Sequence, residues 1–434
     1  MTTVVGYPAG NSLKSGTDGL VPTNIHIGQN KLSTFNQGLR EALRYFSGYV
    51  QVGSGATLAY ATPVHGGYVS TLTTEIPTDA DGFFVILANG DTANTVVVTG
   101  VSYLCPSDMS QRPFNGVART TGSFDGSAGV TIPVAPSTRL PSFVRSDTTY
   151  LSTVPRTDDP SLTSRIIHVR VSFAAAADTT SLPYWSRGGT RWTSNPTGYD
   201  TWTTISAGDQ TDNVTGLGQP VDHDGGCMIF GIGYLSRGKV RVVGLSGDSF
   251  MNGEEEGSGA RSFWVEGLLS ASSASQPIEV MNMSRGGDTT AQSVDRALAI
   301  MALYNPTDIV QNWFTPNSGV TAANLLTQRQ QVQRMLQYAD ANKLTPWLAT
   351  GSPNTNAGNT ASNYDAAART RQYAYNADAV NYARVVDLAS ITLGNKDLGL
   401  WPLGASSDGV HPQASWSTSN LVPYVARFFA AQPA

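Results

Sequence analysis

Residues 242–253, VVGLSGDSFMNG, place a serine just behind a run of β-branched and small apolar residues. A strand buried on both faces reads this way, so Ser249 is predicted to stand at a strand's carboxyl end, on a turn that Gly247 allows to be tight. A serine hydroxyl is a poor nucleophile at neutral pH; it needs a base, and the base needs an acceptor to fix its ring. The chain has five histidines, His26, His65, His168, His223 and His411, and of these only His411 follows Ser249. It stands three residues after Asp408 in SSDGVHPQ, with a glycine between them. That spacing lets the carboxylate reach Nδ1 while Nε2 faces outward. The expectation is nucleophilic acyl transfer by Ser249, His411 and Asp408, with no metal or organic cofactor.

Other clusters carry less. GYLSRGKV, residues 233–240, imitates a phosphate loop, but Val240 stands where a magnesium-ligating hydroxyl belongs and a strand rather than a helix is expected to follow. It reads more simply as a tight turn. Asp222, His223 and Asp224 could ligate a cation, though a solvated loop is the plainer reading. Glu254 to Glu256 suit a solvated helix start. Cys105 and Cys227, the two cysteines, are read as buried thiols, with a disulfide as the alternative.

The elements that would position Ser249 and His411 alternate. Strands are expected at residues 240–245, 278–283, 309–314, 346–350 and 384–388. Helices are expected within 260–272, 288–304, 322–343, 362–383 and 419–431; Val294, Leu298 and Met301 share one face of the second. This order predicts an α/β unit with a parallel sheet covered on both faces, its ligands beyond the carboxyl ends of the strands. Before residue 237 the texture differs. Short β-rich runs at 66–76, 81–91, 94–105, 164–174 and 227–236, broken by turn residues, predict an antiparallel, sandwich-like unit. One helix is expected there, over residues 33–49, where Phe35, Leu39, Leu43 and Phe46 recur at helical spacing behind Ser33 or Thr34. The expected division is 1–55, an N-terminal segment with one helix; 56–236, a β-rich accessory domain; and 237–434, a catalytic domain.

Residues 240–434 resemble the SGNH or GDSL-type serine hydrolases. SGDSFMNG resembles the first block, with Ser249 as nucleophile, and DGVHP resembles the last, with Asp408 and His411. In MNMSRGGDTT the resemblance implies that Gly287 donates its backbone N–H to the oxyanion, Gly286 being the neighbouring alternative. In DIVQNWFTPNSG it implies that Asn317 donates its side-chain amide, with Asn312 as the rival. Ser249 would give the third donor through its own N–H. The sequence departs from the family in carrying Thr315 where a glycine is usual and Ser318 where an acidic residue is common. Met251 breaks the G-x-S-x-G elbow of the α/β-hydrolases. The fold implied is a flavodoxin-like sheet with helices on both faces, and the activity implied is carboxylic ester hydrolysis.

Composition narrows the partners. A formal net charge of −5 and no dense Lys/Arg stripe disfavour nucleic acid. No run approaches the ~18 to 20 apolar residues of a spanning helix. Charged residues are 14% of the chain, against roughly 25% in soluble domains, and 44 glycines accompany them. That profile leans toward an extracellular or virion-associated protein, and residues 1–19, lacking a basic head followed by an apolar core, are not expected to act as a secretory signal. Tyr184, Trp185, Trp192, Tyr199 and Trp202, interleaved with polar residues, suggest a sugar platform, with Trp185, Trp192 and Trp202 as candidate substrate contacts. The expected substrate is an acylated small molecule or polysaccharide bearing short, O-acetyl-type esters. The alternatives are a lipase, thioesterase or arylesterase, and a phage-tail or cell-surface module carrying a deacetylase.

Overall fold

The computed structural model describes residues 40–45, 49–50, 57–58, 68–90, 92–108, 120–137, 139–174, 182–183, 185–186, 201–207, 229–253 and 262–431. Its main feature is a nine-stranded mixed sheet. In chain order the strands are β1 (Arg40–Tyr45), β2 (Ala80–Asn89), β3 (Ser142–Arg145), β4 (Ile229–Ser236), β5 (Arg241–Ser246), β6 (Ile278–Asn282), β7 (Asp308–Asn312), β8 (Thr345–Ala349) and β9 (Arg384–Val386). Across the sheet they run β9-β8-β7-β5-β6-β1-β4-β2-β3. The five strands β5 to β9 are mutually parallel where they pair, and Val243 of β5 faces Val280 of β6 on one side and Asp308 of β7 on the other. This is the flavodoxin-like order, and the chain switches direction across the sheet between β5 and β7. In sheets of this order ligands bind beyond the carboxyl ends of the strands at that switch point, and Ser249 follows β5 at that end.

Every residue of β5 is buried. Alternate side chains serve opposite faces: Val242 joins a cluster with Val294, Ala297 and Ile300, whereas Val243 and Leu245 join Trp264, Leu421 and Phe429. The covering helices are α1 (Phe263–Ser270), α2 (Thr290–Met301), α3 (Ala322–Ala341), α4 (Ala366–Asp378) and α5 (Ala414–Ala430). Starts are set by side-chain caps: Ser262 before α1, Thr321 before α3, Asp365 before α4, and for α2 a capping box in which Thr289 and Gln292 satisfy each other's backbone N–H. At the amino ends of the strands, Arg241 and Asp308 form a buried two-pronged pair, with the Trp347 Nε1–H also donating to Asp308. This charge network lies at the end of the sheet away from Ser249.

The helix expected over residues 33–49 is corrected for the part described. Residues 40–45 are strand β1, antiparallel to β4 from Arg40–Ser236 to Tyr45–Gly231 and touching β6 in parallel at Tyr45–Met281. Residues 33–39 lie outside the described residues. The physical reason is tertiary: without β1, β4 would present an unpaired edge, and the six residues inserted there pair along its length and meet β6 at Tyr45. Helical propensity is too weak to compete with that demand.

The β-rich runs form strands as expected, but they divide between two sheets. β2 and β4 join the nine-stranded sheet, while Tyr68–Ile76, Val96–Leu104 and Arg165–Ala174 build a second, antiparallel sheet with Thr201–Ala207, Thr120–Thr121 and Val130–Ile132. The two sheets share one apolar cluster. Phe83 of β2 stacks on Tyr103 of the second sheet at 6.2 Å, and Phe84, Val98, Val169, Met281 and Ile300 belong to the same cluster. SRGK is a turn, as expected, closed by Ser236 Oγ, which accepts from Gly238 N–H at 3.1 Å. It links β4 and β5, which are separated in the sheet by β1 and β6. Among the described residues, no helix is long and apolar enough to cross a membrane.

Candidate active site

Ser249 opens a single helical turn, Ser249–Asn252, at the end of β5. The turn is anchored from beneath by its own preceding residue. Asp248 is buried, and its Oδ1 accepts from the Phe250 N–H at 3.1 Å and from the Asn312 side-chain amide at 3.0 Å, while its Oδ2 accepts from the Thr315 hydroxyl. Burial pushes the Asp248 carboxyl above its usual range, against the opposing pull of the Thr315 and Phe250 hydrogen bonds and of a charge on His411. Gly247 is required by close approach: a Cβ there would lie 2.6 Å from the Asn312 amide nitrogen and 2.7 Å from Met251.

The loop before α5 carries Asp408 and His411. Asp408 Oδ2 lies 2.7 Å from His411 Nδ1, and Oδ1 accepts the backbone N–H groups of Val410 and His411, each at 2.7 Å. One carboxylate therefore fixes both the ring and the backbone that bears it. The loop is docked through Gly409, whose carbonyl accepts from the Trp401 indole N–H at 3.1 Å and from Thr355 N–H at 2.9 Å. Trp401 packs on Phe250 with ring centroids 6.2 Å apart, which seats the histidine loop against the turn of Ser249.

Two further loops close on the same turn. After β6, Arg285 N–H donates to the Gly247 carbonyl at 3.3 Å, and Asn282 holds Ser284 N–H at 3.1 Å. Gly287 has φ of +73°, a conformation that favours glycine, whereas Gly286 has its carbonyl engaged by Arg139. After β7, Thr315 caps the 3-10 turn Pro316–Ser318 and accepts from Asn317 N–H at 3.4 Å. The Asn317 amide donates to the Asp288 carbonyl at 3.1 Å. An amide nitrogen carries two hydrogens, so one is engaged in fixing the side chain while the other can serve a ligand. Asn312 lies inside β7 and supports Asp248 from below.

The fold thus gathers Ser249, Asp408, His411, Gly287 and Asn317 on loops at one end of the parallel strands. Sequence reading missed the support beneath them. Asp248 was visible only as part of Gly-Asp-Ser, and Thr315 only as a departure from a family glycine. Arg139, 110 residues before Ser249, left no signal at all. Trp185 belongs to a two-residue strand, Trp185–Ser186, and Trp202 to Thr201–Ala207; Trp192 lies outside the described residues. So do His26, His65, Asp222 to Asp224, Cys227 and Glu254 to Glu256. Cys105 is free, with its thiol pushed up to about 12 by burial.

No family model matches the chain, and no curated protein matches it. Solved structures do. The chain is similar to a lipase/acylhydrolase from Enterococcus faecalis, at 18% identity over 45% of this chain and 100% of that one, with a TM-score of 0.34. It is similar to a GDSL-like lipase from Bacteroides thetaiotaomicron, at 18% identity over 43% and 86% of the two chains, with a TM-score of 0.32. The psychrotrophic esterase EstA from a Pseudoalteromonas species matches at 16% identity over 43% and 95%, with a TM-score of 0.33. The names GDSL and SGNH recur among the structures to which this chain is similar.

Proposed function

We propose that the chain is a serine ester hydrolase of the SGNH type that removes short acyl groups, with O-acetyl esters of carbohydrate as the favoured substrates. The observation that carries this reading is the Asp408–His411 pair at 2.7 Å, on a loop seated against the turn that bears Ser249. In the proposed mechanism His411 Nε2 takes the Ser249 hydroxyl proton as the oxygen attacks the ester carbonyl. Asp408 holds the tautomer and stabilises the imidazolium. The oxyanion of the tetrahedral intermediate is met by the N–H groups of Ser249 and Gly287 and the amide of Asn317. His411 then protonates the leaving alcohol, and water releases the acyl group by the same base.

The preference for acetyl groups on sugars rests on the family resemblance and on the aromatic residues interleaved with polar ones between 184 and 202. Acetate release from a panel of acetylated polysaccharides, and turnover of p-nitrophenyl esters of increasing chain length, test both levels. Ser249→Ala is expected to lose about 10⁴-fold or more in kcat. Full turnover in that variant would overturn the esterase assignment. A maximum at eight acyl carbons or longer would replace the acetyl preference with a lipase-like one.

A further inference from the structure

Next to the proposed oxyanion site, one side chain arrives from the β-rich half of the chain. Arg139 lies in a turn between Val130–Ile132 and β3, where Ser137 Oγ accepts from Arg139 N–H at 3.3 Å and Leu140 N–H at 3.1 Å and Leu140 is buried. Its Nη1 donates to the Gly286 carbonyl at 3.2 Å and to Asp288 Oδ1 at 2.8 Å. Arg296 of α2 completes the clamp by donating to Asp288 Oδ2 and, from Nε and Nη2, to the Arg139 carbonyl at 3.2 and 2.7 Å.

The consequence follows from peptide geometry. In a trans peptide the carbonyl oxygen and the amide hydrogen point to opposite sides, so fixing the Gly286 carbonyl fixes the direction of the Gly287 N–H. That peptide is the centre of a β-turn closed by Asp288 N–H on the Arg285 carbonyl at 3.3 Å, and Arg139 grips the turn from outside, its guanidinium 3.5 to 3.6 Å from where a Cβ on Gly287 would stand. The second donor is reached through Asp288. Its fully buried carboxylate is held by both arginines, and its carbonyl is the acceptor that orients the Asn317 amide. Resting on the esterase reading above, we infer that Arg139 is a positioning residue that aims the Gly287 and Asn317 donors at the oxyanion, so that the β-rich half completes the catalytic site.

The test uses the full chain and p-nitrophenyl acetate. Arg139→Ala is expected to lower kcat about 10- to 100-fold with KM changed less than about threefold, because misaimed donors weaken the transition state more than the ground state. Arg139→Lys is expected to recover part of the loss. The double variant with Asn317→Ala is expected to lose less than the product of the single losses, since both act through one oxyanion site. Arg237→Ala, which breaks an exposed pair with Asp81 at the border of the β-rich half, is the control expected to leave kcat unchanged. Should Arg139→Ala not fold, Arg139→Gln carries the same readout. An unchanged kcat in the folded Arg139 variants, or losses that multiply with Asn317→Ala, would overturn the inference. Retained turnover in Ser249→Ala would instead overturn the esterase reading.

Discussion

Asn317 illustrates how a single side chain is set before any substrate arrives. One amide hydrogen is committed to the Asp288 carbonyl, its backbone N–H is taken by Thr315, and the preceding residue is a proline at the start of a 3-10 turn. In the proposed mechanism, a donor held this way needs no reorganisation when negative charge develops beside it. Asn317→Ala is therefore expected to lower kcat by about 10²- to 10³-fold while KM moves little, as read by steady-state kinetics on a short-chain ester. A loss confined to KM would mean that the amide binds ground-state substrate instead. Asp248 works differently. With three donors converging on it and burial raising its proton affinity, it ties the ends of β5 and β7 into one rigid rim.

At the scale of elements, the central strand of the second sheet, Arg165–Ala174, buries charge-bearing residues that have no part in the proposed chemistry. His168 and Arg170 are fully buried, and burial together with the Arg170 cation pushes the His168 imidazole down to about 3. The unfolded imidazole takes its proton near 6.5. Between those values the unfolded chain binds a proton that the folded chain refuses, so stability falls as pH drops through the window, by up to about 1.4 kcal/mol per pH unit. Urea unfolding at a series of pH values should show this slope in the wild type and a flatter one in His168→Gln. The slope decides the matter, whatever the variant's absolute stability. An equal slope in both proteins would mean that His168 is already protonated in the fold.

For the whole molecule, the change of texture near residue 237 does not coincide with a break in structure. β1 supplies the edge of β6, Tyr234 of β4 donates its hydroxyl to Glu279 of β6 at 2.8 Å, and Tyr304 donates to the Glu41 carbonyl at 3.0 Å. Arg145 of β3 spans the same border, pairing with Glu41 and donating to the Leu303 carbonyl at 3.0 Å while it lies over the Phe84 ring. Residues 237–434 expressed alone are expected to aggregate through the bared edge of β6 and, where recovered, to retain less than about a tenth of the full chain's specific activity. Solubility and turnover of the fragment check this. A soluble, fully active fragment would show that the shared sheet and Arg139 are dispensable.

What the sequence determined by itself was local. The β5 strand is legible because a parallel central strand needs an unbroken apolar run, and the Asp408–His411 contact because three residues across a glycine leave the carboxylate within reach of the ring. The helices α1 to α4 follow from their apolar period, which acts within a turn or two, whereas α5 starts at Ala414, five residues before the run expected for it and without a side-chain cap. Only the tertiary structure decided that residues 40–45 extend rather than coil, that β2 and β4 extend the parallel strands into one mixed sheet by antiparallel pairing, and that Arg139 reaches Gly286. These outcomes depend on which unsatisfied edge, carbonyl or carboxylate a distant segment meets. No window of neighbouring residues contains that information, because the pairing partner lies a hundred or more positions away.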